Sequence, residues 1–132
     1  MEISALVRNE ARGHEAEVRT GAATQTLAIP PKPAGRGSAV NGGELLMLAL
    51  ATCYCNDLYR EAERLGIPID SVEVEASAQF PGVGLAATDI RYRAKISSPA
   101  PRSAIEELRR RTDAVAEVHN TVRAGVPVAL LP

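Results

Sequence analysis

The chain has 132 residues, with 15 Lys and Arg against 16 Asp and Glu for a net charge of −1; this is the size of one domain, residues 1–132, with a buried core, and it offers no basic field for a polyanion. Apolar content is 45%, charged content 23% and aromatic content 3%, with no Trp, which excludes a disordered chain and leaves few side chains on which single-stranded bases could stack. The two cysteines, Cys53 and Cys55, are two residues apart, so a disulfide framework is excluded as well.

The opening decapeptide MEISALVRNE carries charge and lacks an apolar h-region, so no signal peptide is expected and the expected compartment is the cytoplasm. Residues 3–8, 14–19 and 24–29 alternate apolar or small with polar side chains, separated by turns at Asn9–Gly13 and Gly21–Ala23. They predict an antiparallel meander stopped by Pro30 and Pro31. Pro30–Gly43 is a Gly- and Pro-rich loop containing Lys32 and Arg36. It reads first as a connector; a loop that enters a helix N-terminus can also cradle an anion, but this one matches no phosphate-binding fingerprint.

A helix is predicted over 42–65, roughly 35 Å long. Asn41 and Glu44 have capping-box spacing, and Gly66 with Pro68 forms a stop. The run from Leu45 to Cys55 is apolar nearly all round, too short to span a bilayer but requiring burial on every side. The half after it is amphipathic, with Leu58, Tyr59, Ala62 and Leu65 on one stripe. One small sheet covers one face only, so the other side calls for a partner chain.

Residues 69–80 and 88–97 form a predicted hairpin. Val72, Val74, Ala76 and Ala78 on one strand and Ile90, Tyr92, Ala94 and Ile96 on the other face inward, and the outward acids of the first strand oppose the outward bases of the second. Ser103 and Glu106 have capping-box spacing before a second helix over 103–118. There the triplet Arg109, Arg110 and Arg111 reads as a wet face. Residues 119–125 read as a turn or short helical piece. A last strand is expected over 126–131, at an edge because of Pro127. The order βββ–α–ββ–α–β does not alternate as a parallel α/β protein would, so the class is α+β.

The cysteines lie about 200° apart around the helix. Cys55 shares the sheet-facing stripe and reads as a buried filler. Cys53 shares its face with Ala49, Leu50, Asn56, Asp57 and Arg60 and is better placed to meet a polar cavity, though core packing is the commoner role for such a residue. A reactive thiolate needs a cation, a helix N-terminus or a metal. Cys53 is roughly 18 Å from the helix start, so a basic side chain would have to come from elsewhere, with Arg8, Arg12, Arg19 and Arg36 as candidates by type. His14 and His119 have no ligand spacing around them, so no metal or cofactor is expected, and no Gly-x-Ser-x-Gly or His-Glu-x-x-His motif is present.

The segment NGGELLMLALATCYCNDL, the order of elements and the return VHNTVRAGVPV resemble the OsmC/Ohr family over nearly the whole chain. The resemblance implies an intertwined homodimer with the long helices packed together in its middle, which would answer the burial problem. It also implies a thiol peroxidase reducing organic hydroperoxides in oxidative stress defence. Cys53 matches the peroxidatic cysteine, Arg12 in NEARGHE best matches the family arginine, and Glu44 matches the glutamate at the helix start. The second, resolving cysteine would fall near Ala116, in AVAEVHN, and is absent. The resemblance therefore implies a one-cysteine cycle with an external thiol as reductant. The alternative is a homodimer that has kept the fold, lost the reaction and binds a small apolar or anionic ligand. No nucleic acid or membrane partner is expected.

Overall fold

Alternating strands bounded by Gly and Pro, and one long helix between cap and stop signals, assemble as expected in a computed structural model that describes all residues, Met1–Pro132. Its elements are β1 (Ile3–Glu10), β2 (Gly13–Thr20), β3 (Ala23–Leu27), α1 (Gly42–Leu65), β4 (Ser71–Gln79), β5 (Thr88–Ser97), α2 (Arg102–Val115) and α3 (Glu117–Ala124). The class is α+β with antiparallel sheets and three helices. Contacts divide the chain into two compact units, Met1–Leu45 and Leu46–Pro132, the division falling within α1.

In the first unit the strands pair antiparallel in the order β1-β2-β3, with Ile3 opposite Thr20 and Ala16 opposite Leu27. This sheet hides little: every residue of β1 and β3 is exposed, and Ala16 is the one buried residue of β2. The loop after it is ordered by its own backbone. Lys32 N–H donates to Gly37 O at 2.9 Å, Ala39 N–H to Pro30 O at 3.0 Å, and Pro31 bridges Ser38. Gly35 and Gly37 take positive φ, 82° and 110°, which is why this loop needs glycine.

The capping box forms as expected. Glu44 N–H donates to Asn41 Oδ1 at 2.8 Å, and Asn41 N–H donates to Glu44 Oε1 at 3.0 Å. Asn41→Ala is expected to cost about 1 kcal/mol, measured as a shift in urea midpoint at constant slope. The stop signal also holds: Gly66 sits at φ 68°, with Ile67 N–H on Ala62 O at 2.9 Å and Gly66 N–H on Glu63 O at 3.2 Å, the paired bonds of a Schellman motif.

In the second unit β4 and β5 pair with Val74 opposite Ala94 and Glu75 opposite Arg93. The expected charge pairing is present on the outer face, Glu75–Arg93 at 3.0 Å and Glu73–Lys95 at 3.9 Å. The inner face supplies Val72, Val74, Tyr92, Ala94 and Ile96 to a core built on Tyr54, Leu58, Ala62 and Leu108.

Several expectations are corrected. Of the predicted stripe on α1, Leu58 and Ala62 are buried, but Tyr59 is 47% and Leu65 38% exposed; Tyr54 takes the inner position, its hydroxyl donating to Arg109 O at 2.9 Å. Ile90 is exposed near the end of the hairpin. The predicted 103–118 helix is two helices, because Ala116 takes an extended backbone, φ −72° and ψ 104°, between α2 and α3. The Ser103 capping box is absent: α2 begins after Pro101 with no side-chain cap, and Glu106 lies 3.6 Å from Arg109 instead. Arg110 and Arg111 do form a wet face on Glu107, whereas Arg109 turns in and donates to Ala94 O. Residues 126–131 form no strand: they pair with neither sheet, and Val128 and Leu130 are fully exposed.

Candidate functional site

Cys53 lies near the middle of α1, in the second unit, and is half-buried. Its Sγ is within donating distance of two carboxylates, Asp57 Oδ2 at 3.7 Å and Glu117 Oε2 at 3.9 Å. Asp57 comes from the next turn of α1, where i and i+4 lie on one face. Glu117 comes from the first turn of α3, and the break at Ala116 is what starts that helix here.

The electrostatics oppose a thiolate. Burial pushes the Cys53 thiol above its ordinary value; a backbone hydrogen bond from Val118 pulls it down, while the charges of Asp57 and Glu117 push it further up. Asp57 is itself held above the usual carboxylate range, first by burial, then by Glu117, against the pull of Arg60. Arg60 is the compensating cation, 3.0 Å from Asp57 and 3.9 Å from Glu117. It also bonds Glu61 at 3.2 Å, which Arg64 meets at 3.5 Å. Asp57 and Glu61 are therefore buried on a helix face that charge alone would have sent to solvent.

Cys53, Asp57 and Glu117 each offer a donor atom, all within 4.8 Å of one another. Such a set could ligate a metal by type, but the guanidinium of Arg60 already supplies the positive charge the carboxylates call for.

The other expected site residues fall as follows. Arg12 sits in the β1–β2 turn of the first unit, exposed. Glu44, also in the first unit, is committed to the capping box. The arginine that the structure brings to the carboxylates around Cys53 is Arg60, which the sequence had placed on the same face without a role. Cys55 is half-buried rather than a sealed filler. Ala116, where a second thiol would fall, is wholly buried. The approach of Glu117 had no local signal, since it spans 64 residues.

A model of the OsmC-like protein family matches residues 35–130. The chain belongs to the OsmC-like family. Solved structures agree in fold. An OsmC-like protein from Mycoplasma pneumoniae matches with TM-score 0.63 at 20% identity, covering 92% of this chain and 86% of that one. An organic hydroperoxide resistance protein OsmC from Legionella pneumophila matches with TM-score 0.62 at 19% identity, covering 98% and 95%. The organic hydroperoxide resistance protein OhrB of Bacillus subtilis matches with TM-score 0.57 at 19% identity, covering 98% and 96%. At these identities the likeness shows the OsmC-like fold alone. No curated protein sequence matches the chain. No helix of this OsmC-like protein is long and apolar enough to cross a membrane.

Proposed function

We propose that this OsmC-like protein is a one-cysteine, thiol-dependent organic hydroperoxide reductase, working as a cytoplasmic homodimer of single-domain chains in oxidative stress defence. The observation that carries the reading is the Cys53 thiol within reach of the buried Asp57 carboxylate, whose raised proton affinity suits it to take and return a proton. Similarity in fold to hydroperoxide resistance proteins supports the substrate class.

The chemistry balances without a metal or cofactor. Asp57 takes the thiol proton, and the Cys53 sulfur attacks the terminal oxygen of R–O–O–H. An S–O bond forms as the O–O bond breaks, and the departing alkoxide takes the proton back from Asp57. Sulfur is oxidised to sulfenic acid and the peroxide is reduced to an alcohol. With only Ala116 where a second thiol would stand, an external thiol attacks the sulfenic acid, releasing water and leaving a mixed disulfide. A second external thiol then frees Cys53 and leaves as the external disulfide. The family resemblance supports Arg12 as the cation that steadies the thiolate and Glu44 as its carboxylate partner.

The test is turnover of cumene hydroperoxide with dithiothreitol. Cys53→Ser is expected to fall to the uncatalysed rate; a variant as fast as wild type overturns the proposal. One observation favours a second reading, a ligand-binding homodimer without turnover: burial, with the carboxylates beside Cys53, shifts its thiol away from the reactive thiolate. Under that reading wild type itself shows no turnover.

A further inference from the structure

His119 on α3 is 3% exposed, and neither of its ring nitrogens has a hydrogen-bond partner. A buried polar group left unpaired costs free energy and calls for an explanation. The ring packs edge-on to Tyr92, with centroids 4.5 Å apart, and lies 5.9 Å from Tyr54. It also forms part of the wall of a cleft of about 340 Å³, whose other walls include Leu50, Ile90, Tyr92 and Val122, with Asp89 and Arg123.

The charges of this cleft are already paired. Asp89 holds Arg91 at 2.6 Å, and Arg123 holds Asp113 at 2.6 Å. The Tyr92 hydroxyl is committed to Asp113. Among the polar groups of the wall, the imidazole alone has nothing to bond.

We propose that the cleft binds a small neutral amphiphile, a compact apolar body bearing one hydroxyl, which hydrogen-bonds to His119. A neutral imidazole presents one N–H and one lone pair, and a hydroxyl, both donor and acceptor, can meet either. An anion would face Asp89 and a cation would face Arg123, each at a rim with no spare counter-charge. Both nitrogens are closed to solvent, so binding draws one to the opening by rotation about the second side-chain torsion, which is broad for histidine. The volume lies at the lower end of ligand pockets, roughly 300–1,000 Å³, which limits the body to a small ring or short branched chain. None of Cys53, Asp57 and Glu117 lines this cleft, so the inference holds whether or not Cys53 turns over.

The test titrates cyclohexanol into ¹⁵N-labelled protein and reads the His119 ring nitrogens together with the methyl signals of Leu50, Ile90 and Val122. Cyclohexanol is expected to shift these signals saturably, and cyclohexanecarboxylate to bind more weakly. His119→Phe is expected to weaken binding about tenfold, while His119→Gln, which keeps a donor and an acceptor, largely retains it. Val122→Trp fills the cleft from a half-buried position and is expected to abolish binding, which keeps the test decisive if a His119 variant does not fold. Cys53→Ser should bind as wild type does, separating this site from the thiol. The proposal is overturned by the absence of a saturable shift, by carboxylate binding as tight as alcohol binding, or by undiminished binding in Val122→Trp.

Discussion

Leu58→Ala is expected to lower the unfolding free energy by about 3 kcal/mol, within the range of roughly 2–5 for removing a buried Leu side chain. Leu58 is fully buried at the centre of the core that joins α1 to the β4–β5 hairpin and α2. The inner face of that hairpin is largely valine and alanine, so the rigid sheet has little side-chain length with which to refill the void. Against a total of roughly 5–15 kcal/mol, the loss should move the thermal midpoint by about 10 °C, read by circular dichroism. Leu48 gives the contrast. It lies on the same helix but is 59% exposed, so Leu48→Ala in an isolated chain should change stability by less than about 0.5 kcal/mol. If the long helices pack together in a homodimer, Leu48→Ala instead behaves as a core substitution, with an effect that is largest at high protein concentration and fades on dilution. A small, concentration-independent effect would argue against that packing.

Asp57→Asn is expected to speed alkylation of Cys53 by iodoacetamide at pH 7 about tenfold, and Glu117→Gln by a smaller factor, because each removes a charge that opposes the thiolate. The order follows exposure: the Asp57 side chain is 7% exposed and that of Glu117 71%, so solvent screens the second. The pH profile carries the sign. In wild type the alkylation rate should keep rising above the ordinary thiol range, since the Cys53 thiol is shifted up, and both variants should move that rise to lower pH. Stability follows the same linkage. A group whose proton is held more tightly in the folded state contributes stability that is fully present below its unfolded pKa, about 8.5, and is lost as pH climbs through the folded value. Asp57→Asn should blunt that alkaline loss. If Asp57 also shuttles the proton in peroxide reduction, the same variant alkylates faster and turns over more slowly. A variant that gained in both assays would remove Asp57 from the mechanism.

What could be read in the chain was what short-range geometry decides. The Asn41–Glu44 cap, the Gly66 stop and the period-two alternation of Val72, Val74 and Ala76 depend on neighbours within a few residues, and each formed as spaced. Tertiary partners decided the rest. Asp57 and Glu61 read as polar-face residues because their burial depends on Arg60 and Arg64 and on the approach of α3. The break at Ala116 has no Gly or Pro to mark it, so α2 and α3 read as one helix. Residues 126–131 have strand composition but pair with neither sheet, and composition does not fix a pairing. At the site, Cys53 was found from its place on the helix, whereas its carboxylate surroundings needed Glu117 from 64 residues away.

The contact of Tyr54 and Tyr92 with His119 has an optical consequence. The chain has no Trp and three Tyr; Tyr59 is half in solvent, while the other two meet edge-on with centroids 4.7 Å apart. Near-ultraviolet dichroism from tyrosine therefore arises mainly from this one pair, fixed in a chiral setting beside the imidazole. Protonation, rotation or occupation at His119 would alter that signal directly, so the unlabelled protein carries its own reporter at the cleft.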